Sequence, residues 1–250
     1  MAIQIPFSRP TSDHIGIGHS ISRVRNRPNL FDFDGREKIY RAGEQLFAES
    51  DPAFFVYKVI RGVVVTSKSL EDGRRKIDAF RLAGDVFGLD IDEAREISAD
   101  AINDVSVLVA RRDTILSRAA GDCDAGQELL AATSRELRRV QRHSMLLAMN
   151  ARQRVASFLL EMAARLGQPD ILTLPMSRQH IADYLGLTIE TVSRVLTQFE
   201  GAYLIGSRSS RHMILLDQPA LRQLIDGRDS AISSRTCETA QARAGAAHLA

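Results

Sequence analysis

The sequence predicts an α+β protein of two domains. An N-terminal β-barrel or jelly-roll is joined by one long helix to a small C-terminal helical domain. Three observations carry this. Between Phe31 and Arg112, short β-rich runs such as Phe54–Ile60 and Val63–Thr66 alternate with turn signals. Beyond Gly121 the apolar residues recur at helical spacing. Between Met176 and Leu196 the caps, a turn glycine and the apolar anchors fall at helix–turn–helix offsets.

Composition narrows the classes. The 250 residues carry 33 Lys+Arg against 31 Asp+Glu, a net charge of +2, and 44% hydrophobic residues, all ordinary for a globular chain. No run approaches the roughly 18–20 consecutive apolar residues that cross a bilayer, and Met1–Pro10 lacks a secretory leader pattern. The expectation is a cytoplasmic protein without a membrane partner. Two cysteines, Cys123 and Cys237, are too few for a disulfide framework or a thiolate-ligated metal. Trp is absent and Phe and Tyr are few, which leaves little for a single-strand stacking surface.

Taken in order, residues 1–29 mix Pro, Ser, Gly and Arg without periodicity and read as a flexible arm. The β-domain spans 30–120. Asp72-Gly73 between Val63–Leu70 and Lys76–Leu82 marks a hairpin, because both residues tolerate the positive φ of a tight turn. The long helix spans 121–149. Leu130, Thr133, Leu137, Val140, Ser144 and Leu147 form a heptad-like stripe, and the opposite face carries Arg135, Glu136, Arg138, Arg139 and Arg142. The stripe fits either packing on the β-domain or a homodimer seam, with the seam favoured: Leu130, Leu137, Val140 and Leu147. Residues 150–227 make the C-terminal domain. Asn150 caps a helix whose apolar face is Val155, Phe158, Leu159, Met162 and Leu166, ended by Gly167 and Pro169. Residues 228–250 read as a disordered tail, whose small apolar end, Gly245–Ala250, is also of a kind that a protease can hold.

The helix–turn–helix carries the function. Ser177 caps its first helix, with Ile181 and Leu185 buried and Ala182 at the crossing. Gly186 makes the turn, Leu187 plugs the core and Thr188 caps the second helix, which Val192 and Val195 anchor. Its outward face then offers Glu190, Ser193 and Arg194 to base edges. Arg194 matches guanine O6 and N7, Glu190 an exocyclic amine, and Ser193 a base edge or thymine methyl. Arg178, Thr188, Ile189 and Thr191 are placed for the DNA backbone or groove. A wing follows, Ala202–Gly206 and Met213–Leu216 around a basic tip whose Arg208 and Arg211 reach phosphate. From Ala151 to Arg228 there are nine arginines against seven acids, so double-stranded DNA binding rests on placement rather than net charge.

Over Tyr40–Ile225 the chain resembles the Crp/Fnr family of transcription factors, in its FixK-type branch. Ala42-Gly43-Glu44, Asp51-Pro52-Ala53, Asp72-Gly73-Arg74-Arg75 and Gly84-Asp85-Val86-Phe87-Gly88-Leu89 carry the resemblance, together with Glu190-Thr191-Val192-Ser193-Arg194. The resemblance implies a cyclic-nucleotide-binding-like β-roll, a long dimerisation helix and a C-terminal winged helix–turn–helix. It further implies a homodimer on a TTGA…TCAA-like palindrome, activating transcription by contact with RNA polymerase, in low-oxygen or nitrogen-fixation gene control.

The departures from the family pattern count too. Relatives that bind cyclic AMP place an acidic residue after the Gly of the roll, then an Arg-Ser pair. Here Asp85 imitates the first, but Asp92-Glu93-Ala94-Arg95-Glu96 offers one Arg among acids that repel a phosphate. Residues 1–122 hold no cysteine for an iron–sulfur cluster, and no His lies between His19 and His143. That gap also removes the ligands of a cupin-like enzyme. The expectation is a regulator that is not an enzyme and uses no cofactor, with a ligand-gated, cyclic-nucleotide-type regulator as the alternative. Cys123 reads as a candidate redox thiol or a small residue where the long helix begins.

Overall fold

A computed structural model of the chain describes residues 30–32, 35–90, 92–209 and 211–227. The expected arm, residues 1–29, and the expected tail, residues 228–250 with Cys237, lie outside the described residues.

Eight strands build the roll as two four-stranded antiparallel sheets. One has the order β1 (Arg36–Tyr40), β8 (Val105–Arg111), β3 (Phe55–Arg61), β6 (Val86–Phe87); the other has β2 (Gln45–Phe47), β7 (Ser98–Ala101), β4 (Val64–Ser69), β5 (Arg75–Arg81). Between the sheets Tyr40, Phe47, Tyr57, Val59, Val64, Phe87 and Val107 form a core, with Tyr57 stacked on Phe87 at 5.3 Å. The Asp-Gly hairpin is where the sequence places it: Ser69 pairs with Arg75 and Gly73 takes φ +79°. Strand β4 is buried at four consecutive positions, Val64–Ser67. Its continuous apolar run has a reason, because both of its faces are covered. Val64 enters the roll core, whereas Val65 joins Ile77, Phe80 and Leu82 in a second core with the C-terminal domain.

The chain turns helical earlier than its periodicity indicates. Helix α1 spans Arg112–Gly121 and buries only Ile115 fully, so it lacks the apolar stripe that announces a helix. Helix α2 runs Cys123–Leu147, capped by Asp122, whose carboxylate accepts from the Asp124 N–H at 2.9 Å. Its roll-facing side carries Ala125, Leu129 and Ala132, then Glu136, Arg139 and His143, and closes with Leu146. Of the charged residues opposite the stripe, Glu136 and Arg139 are bonded to the roll. Arg81 of β5 donates both Nη groups to Glu136, at 2.7 and 3.0 Å, and Arg139 donates to Asp78 at 3.0 Å and to Glu136 at 2.8 Å. The stripe residues Leu130, Leu137 and Val140 are exposed by 67%, 58% and 47%, and Leu137 and Val140 border a hollow of about 570 Å³ shared with Val86, Phe87 and Leu89 of the roll. Leu147 differs, half-buried against the C-terminal core.

That C-terminal domain comprises α3 (Ala151–Arg165), β9 (Ile171–Thr173), α4 (Arg178–Leu185), α5 (Ile189–Gly201), β10 (Ile205–Ser207), β11 (His212–Leu215) and α6 (Gln218–Ile225). It seats on β5 through Phe80, whose ring lies 6.1 Å from Phe158 and 5.2 Å from Tyr184. Arg165 of α3 donates to the Asp85 carboxylate beside this contact, and to the Phe80 carbonyl at 3.2 Å.

Burial would raise the pKa of Glu136, but the hydrogen bonds from Arg81 and Arg139 outweigh it and hold the carboxyl at about 2. Its contribution to stability is therefore complete above its ordinary value of 4.5 and fades as pH falls toward 2. Urea midpoints taken at about pH 6 and about pH 3 should fall further in the wild type than in Glu136→Gln. Parallel losses would remove Glu136 from the acid response.

Candidate DNA-recognition surface

Local chemistry sets each turn of the helix–turn–helix. Ser177 Oγ accepts from the His180 N–H at 3.2 Å, and His180 Nδ1 accepts in return from the Ser177 N–H at 3.5 Å, a reciprocal cap. Burial first, then the charge of Arg75, holds the His180 imidazole below its ordinary range, which keeps Nδ1 an acceptor. Gly186 ends α4 in the left-handed region, φ +61° and ψ +40°. Thr188 Oγ1 accepts from the Thr191 N–H at 3.2 Å and starts α5. Val192, Val195, Leu196 and Phe199 bury the inner face of α5.

Glu190, Ser193, Arg194 and Gln198 are all exposed on the outer face. The Glu190 carboxylate accepts from its own N–H and from the Thr188 hydroxyl, and with the charge of Arg194 one turn on it is held below the usual carboxylate range. It is therefore an ionised acceptor beside a guanidinium donor, and the two can read opposite base-pair patterns. The remaining expected contacts separate. Thr188 is exposed and Thr191 half-buried, both at the start of α5. Ile189 is half-buried on the core, and Arg178 is half-buried within reach of the Glu200 charge. Strands β10 and β11 pair antiparallel, Ser207 opposite Met213, and β11 also pairs with β9. Arg208 and Arg211 stand exposed at the tip of this wing.

One positioning residue escaped the sequence reading. Arg154 of α3 donates to the Leu147 carbonyl at 2.6 Å, the Met149 carbonyl at 2.8 Å and the Leu185 carbonyl at 2.8 Å. It thus collects the terminal acceptors of α2 and α4 on one planar fork. A lone arginine on an amphipathic helix carries no signal of this in sequence.

Two family models match, a cyclic nucleotide-binding domain over residues 37–121 and a Crp-like helix-turn-helix domain over residues 153–224. The nitrogen fixation regulation protein FixK of Azorhizobium caulinodans is 41% identical over 196 residues, covering 76% of this chain and 79% of that protein. The chain belongs to the Crp/Fnr family, in its FixK-type branch. FixK of Rhizobium meliloti is 37% identical over 74% of this chain and 85% of its own length. The structure of FixK2 from Bradyrhizobium japonicum superposes with a TM-score of 0.73 at 42% identity, covering 76% of this chain and 96% of that one. This Crp/Fnr protein is accordingly a transcription regulator with a helix–turn–helix DNA-binding domain.

In the roll of this Crp/Fnr member Arg95 is not presented to a cyclic phosphate. The side chain of Arg95 is only 1% exposed and ion-pairs with Asp90, while donating to the Phe55 and Gly88 carbonyls. The guanidinium also lies 4.4 Å from the Phe47 ring centroid. Its ion-pair partner is Asp90. Asp85 likewise faces Arg165 instead of the roll interior. The residues present thus do not fit a cyclic nucleotide held through Arg95.

Cys123 is exposed at the start of α2, with Gln127 Nε2 3.8 Å from its sulfur. Among the described residues no group of three or more His, Cys, Asp or Glu gathers to hold a metal, and no helix is long and apolar enough to cross a membrane.

A Cβ at Gly186 would meet only ordinary contacts, 3.6 Å to Arg154 Nη1 and to Leu147 Cδ2, so the cost of substitution there is backbone strain. Gly186→Ala should lower stability by about 1–2 kcal/mol, and Gly186→Asn by less, in urea unfolding. An alanine variant as stable as wild type would refute the strain argument.

Proposed function

We propose that the protein acts as a homodimer that binds a TTGA…TCAA-like palindrome and activates transcription by contacting RNA polymerase. Its setting is the cytoplasm, and its targets belong to low-oxygen or nitrogen-fixation gene control; the FixK relatives are named for nitrogen fixation regulation. The observation that carries the reading is the free outer face of α5, with Glu190, Ser193 and Arg194 exposed on a helix whose other side is locked in the core. Arg194 donates to guanine O6 and N7, Glu190 accepts from an exocyclic amine and Ser193 contacts a neighbouring base edge. Arg178, Thr188, Ile189 and Thr191 line the groove or backbone, and Arg208 and Arg211 reach phosphate from the wing.

A palindrome calls for two copies related by a two-fold axis, with half-sites about 34 Å apart. The exposed stripe on α2 supplies a seam for them: Leu130, Leu137 and Val140, with Leu147 at the end that meets the C-terminal domain. With Arg95 engaged by Asp90, DNA binding proceeds without a cyclic nucleotide or other small cofactor. Control then lies in abundance, in a partner, or in the exposed thiol of Cys123.

Fluorescence anisotropy on the palindromic duplex, with a mutated palindrome at the same salt, tests this reading. Selective binding with no ligand added is the expected outcome, and binding only after addition of cyclic nucleotide would overturn it. Arg194→Ala should cost about 1–3 kcal/mol on the palindrome and relax discrimination at one guanine per half-site. Equal losses on specific and random duplexes would end its base-reading role. Leu137→Glu should yield a monomer by light scattering; a mutant still dimeric would displace the seam from α2.

A further inference from the structure

A second basic surface lies away from the helix–turn–helix. A cleft of about 300 Å³ opens where α2, α3 and the β5–β6 turn meet, lined by Arg81, Arg135, Arg138, Arg139, Arg142 and Arg165. Three carboxylates share it, Asp85, Glu136 and Glu161. Their charges are spoken for. Glu136 pairs with Arg81 and Arg139, which also share Asp78, while Asp85 and Glu161 flank Arg165. Among the described residues, Arg135, Arg138 and Arg142 make no ion pair, so the uncompensated positive charge of the cleft sits on these three.

Helix geometry explains why they converge. At roughly 100° per residue they stand about 110–170° around α2 from the Leu130–Leu137–Val140 stripe, so a second copy on that stripe leaves them uncovered. They are exposed and face the α3 wall of the cleft. The cleft continues into a hollow of about 580 Å³ that shares Arg138, Arg139 and Arg142 and adds Met145, Met149, Tyr184 and Ile225. His143 also borders this hollow, with both ring nitrogens closed from solvent and without a hydrogen-bond partner.

We propose that this cleft binds the phosphoryl group of a small phosphorylated molecule, held by Arg135, Arg138 and Arg142. Guanidinium groups suit the task, because each presents paired N–H donors that match two oxygens of a phosphate. The concave shape favours a small anion over a duplex backbone. No residue of the outer face of α5 or of the wing tip lines the cleft. Since Arg81 and Asp85 belong to the roll and Arg165 to the DNA-binding domain, an anion there bears directly on the junction between them.

Isothermal titration of the full chain with inorganic pyrophosphate, at fixed ionic strength, tests the assignment. One site per chain is expected. The triple variant Arg135→Ser, Arg138→Ser, Arg142→Ser should bind roughly tenfold more weakly or worse, while the corresponding triple lysine variant keeps more of the affinity. Each single serine variant is titrated alongside, so that a triple variant that unfolds leaves the test intact. Affinity unchanged across the serine variants overturns the proposal. So does binding that vanishes once the helix–turn–helix is saturated with palindromic duplex, since the anion was then held on the DNA-reading surface. Repeating the titration with ADP separates the sources of the same chemistry. Tighter binding than pyrophosphate assigns the cleft and its hollow to an organic phosphate, and equal or weaker binding assigns it to free oligophosphate.

Discussion

The arrangement depends on one constraint: the β4–β5 hairpin has to bury both of its faces. One face closes the roll around Val64, Tyr57 and Phe87, and the other supplies Phe80 and Ile77 to the DNA-binding domain. A sheet with one solvated face would leave the two domains as beads on a helix. Here they share apolar contact, and burying a Phe or Ile side chain contributes about 1.5–3 kcal/mol. The polar groups at the hairpin margin, Asp78, Arg81 and Asp85, are consequently drawn into bonds with α2 and α3 rather than with water. The long helix and the DNA-binding domain are positioned by one strand pair.

What could be read from sequence followed how local the physics is. The helix–turn–helix was legible almost residue by residue, since a cap, a turn glycine and an anchor each act within four positions. The Asp72-Gly73 hairpin was legible for the same reason. Helix α1 was not, because Ile115 is its one fully buried residue and no apolar stripe marks it. Glu136 and Arg139 look like solvated residues until Asp78 and Arg81, more than fifty positions earlier, are set opposite them. Arg154 and strand β9 were hidden likewise. Their partners, the Leu185 carbonyl and β11, are brought together only by the fold.

The interior of the roll shows how a ligand-binding shape persists with different chemistry. A buried guanidinium is costly unless its charge is met and its N–H groups are bonded. Asp90, two carbonyls and the faces of Phe47 and Tyr57 meet Arg95 from within the chain, leaving its Nε–H without a hydrogen-bond partner. An anion from outside would have to displace a carboxylate already linked to the same loop. Proximity favours the tethered group at Arg95.

The Arg154 fork gives the chain the mechanics of a lever. By holding the last carbonyl of α2 and the last turn of α4 on one rigid plane, it joins the long helix to the recognition unit at a stiff corner. Helix α2 has 25 residues, which at 1.5 Å per residue makes an arm of about 37 Å. A pivot of roughly 5° at its far end sweeps the corner through about 3 Å, close to the ~3.4 Å rise of one base pair. In the proposed dimer, small changes in how two such arms lie against each other thus translate into whole base-pair steps between the faces they carry.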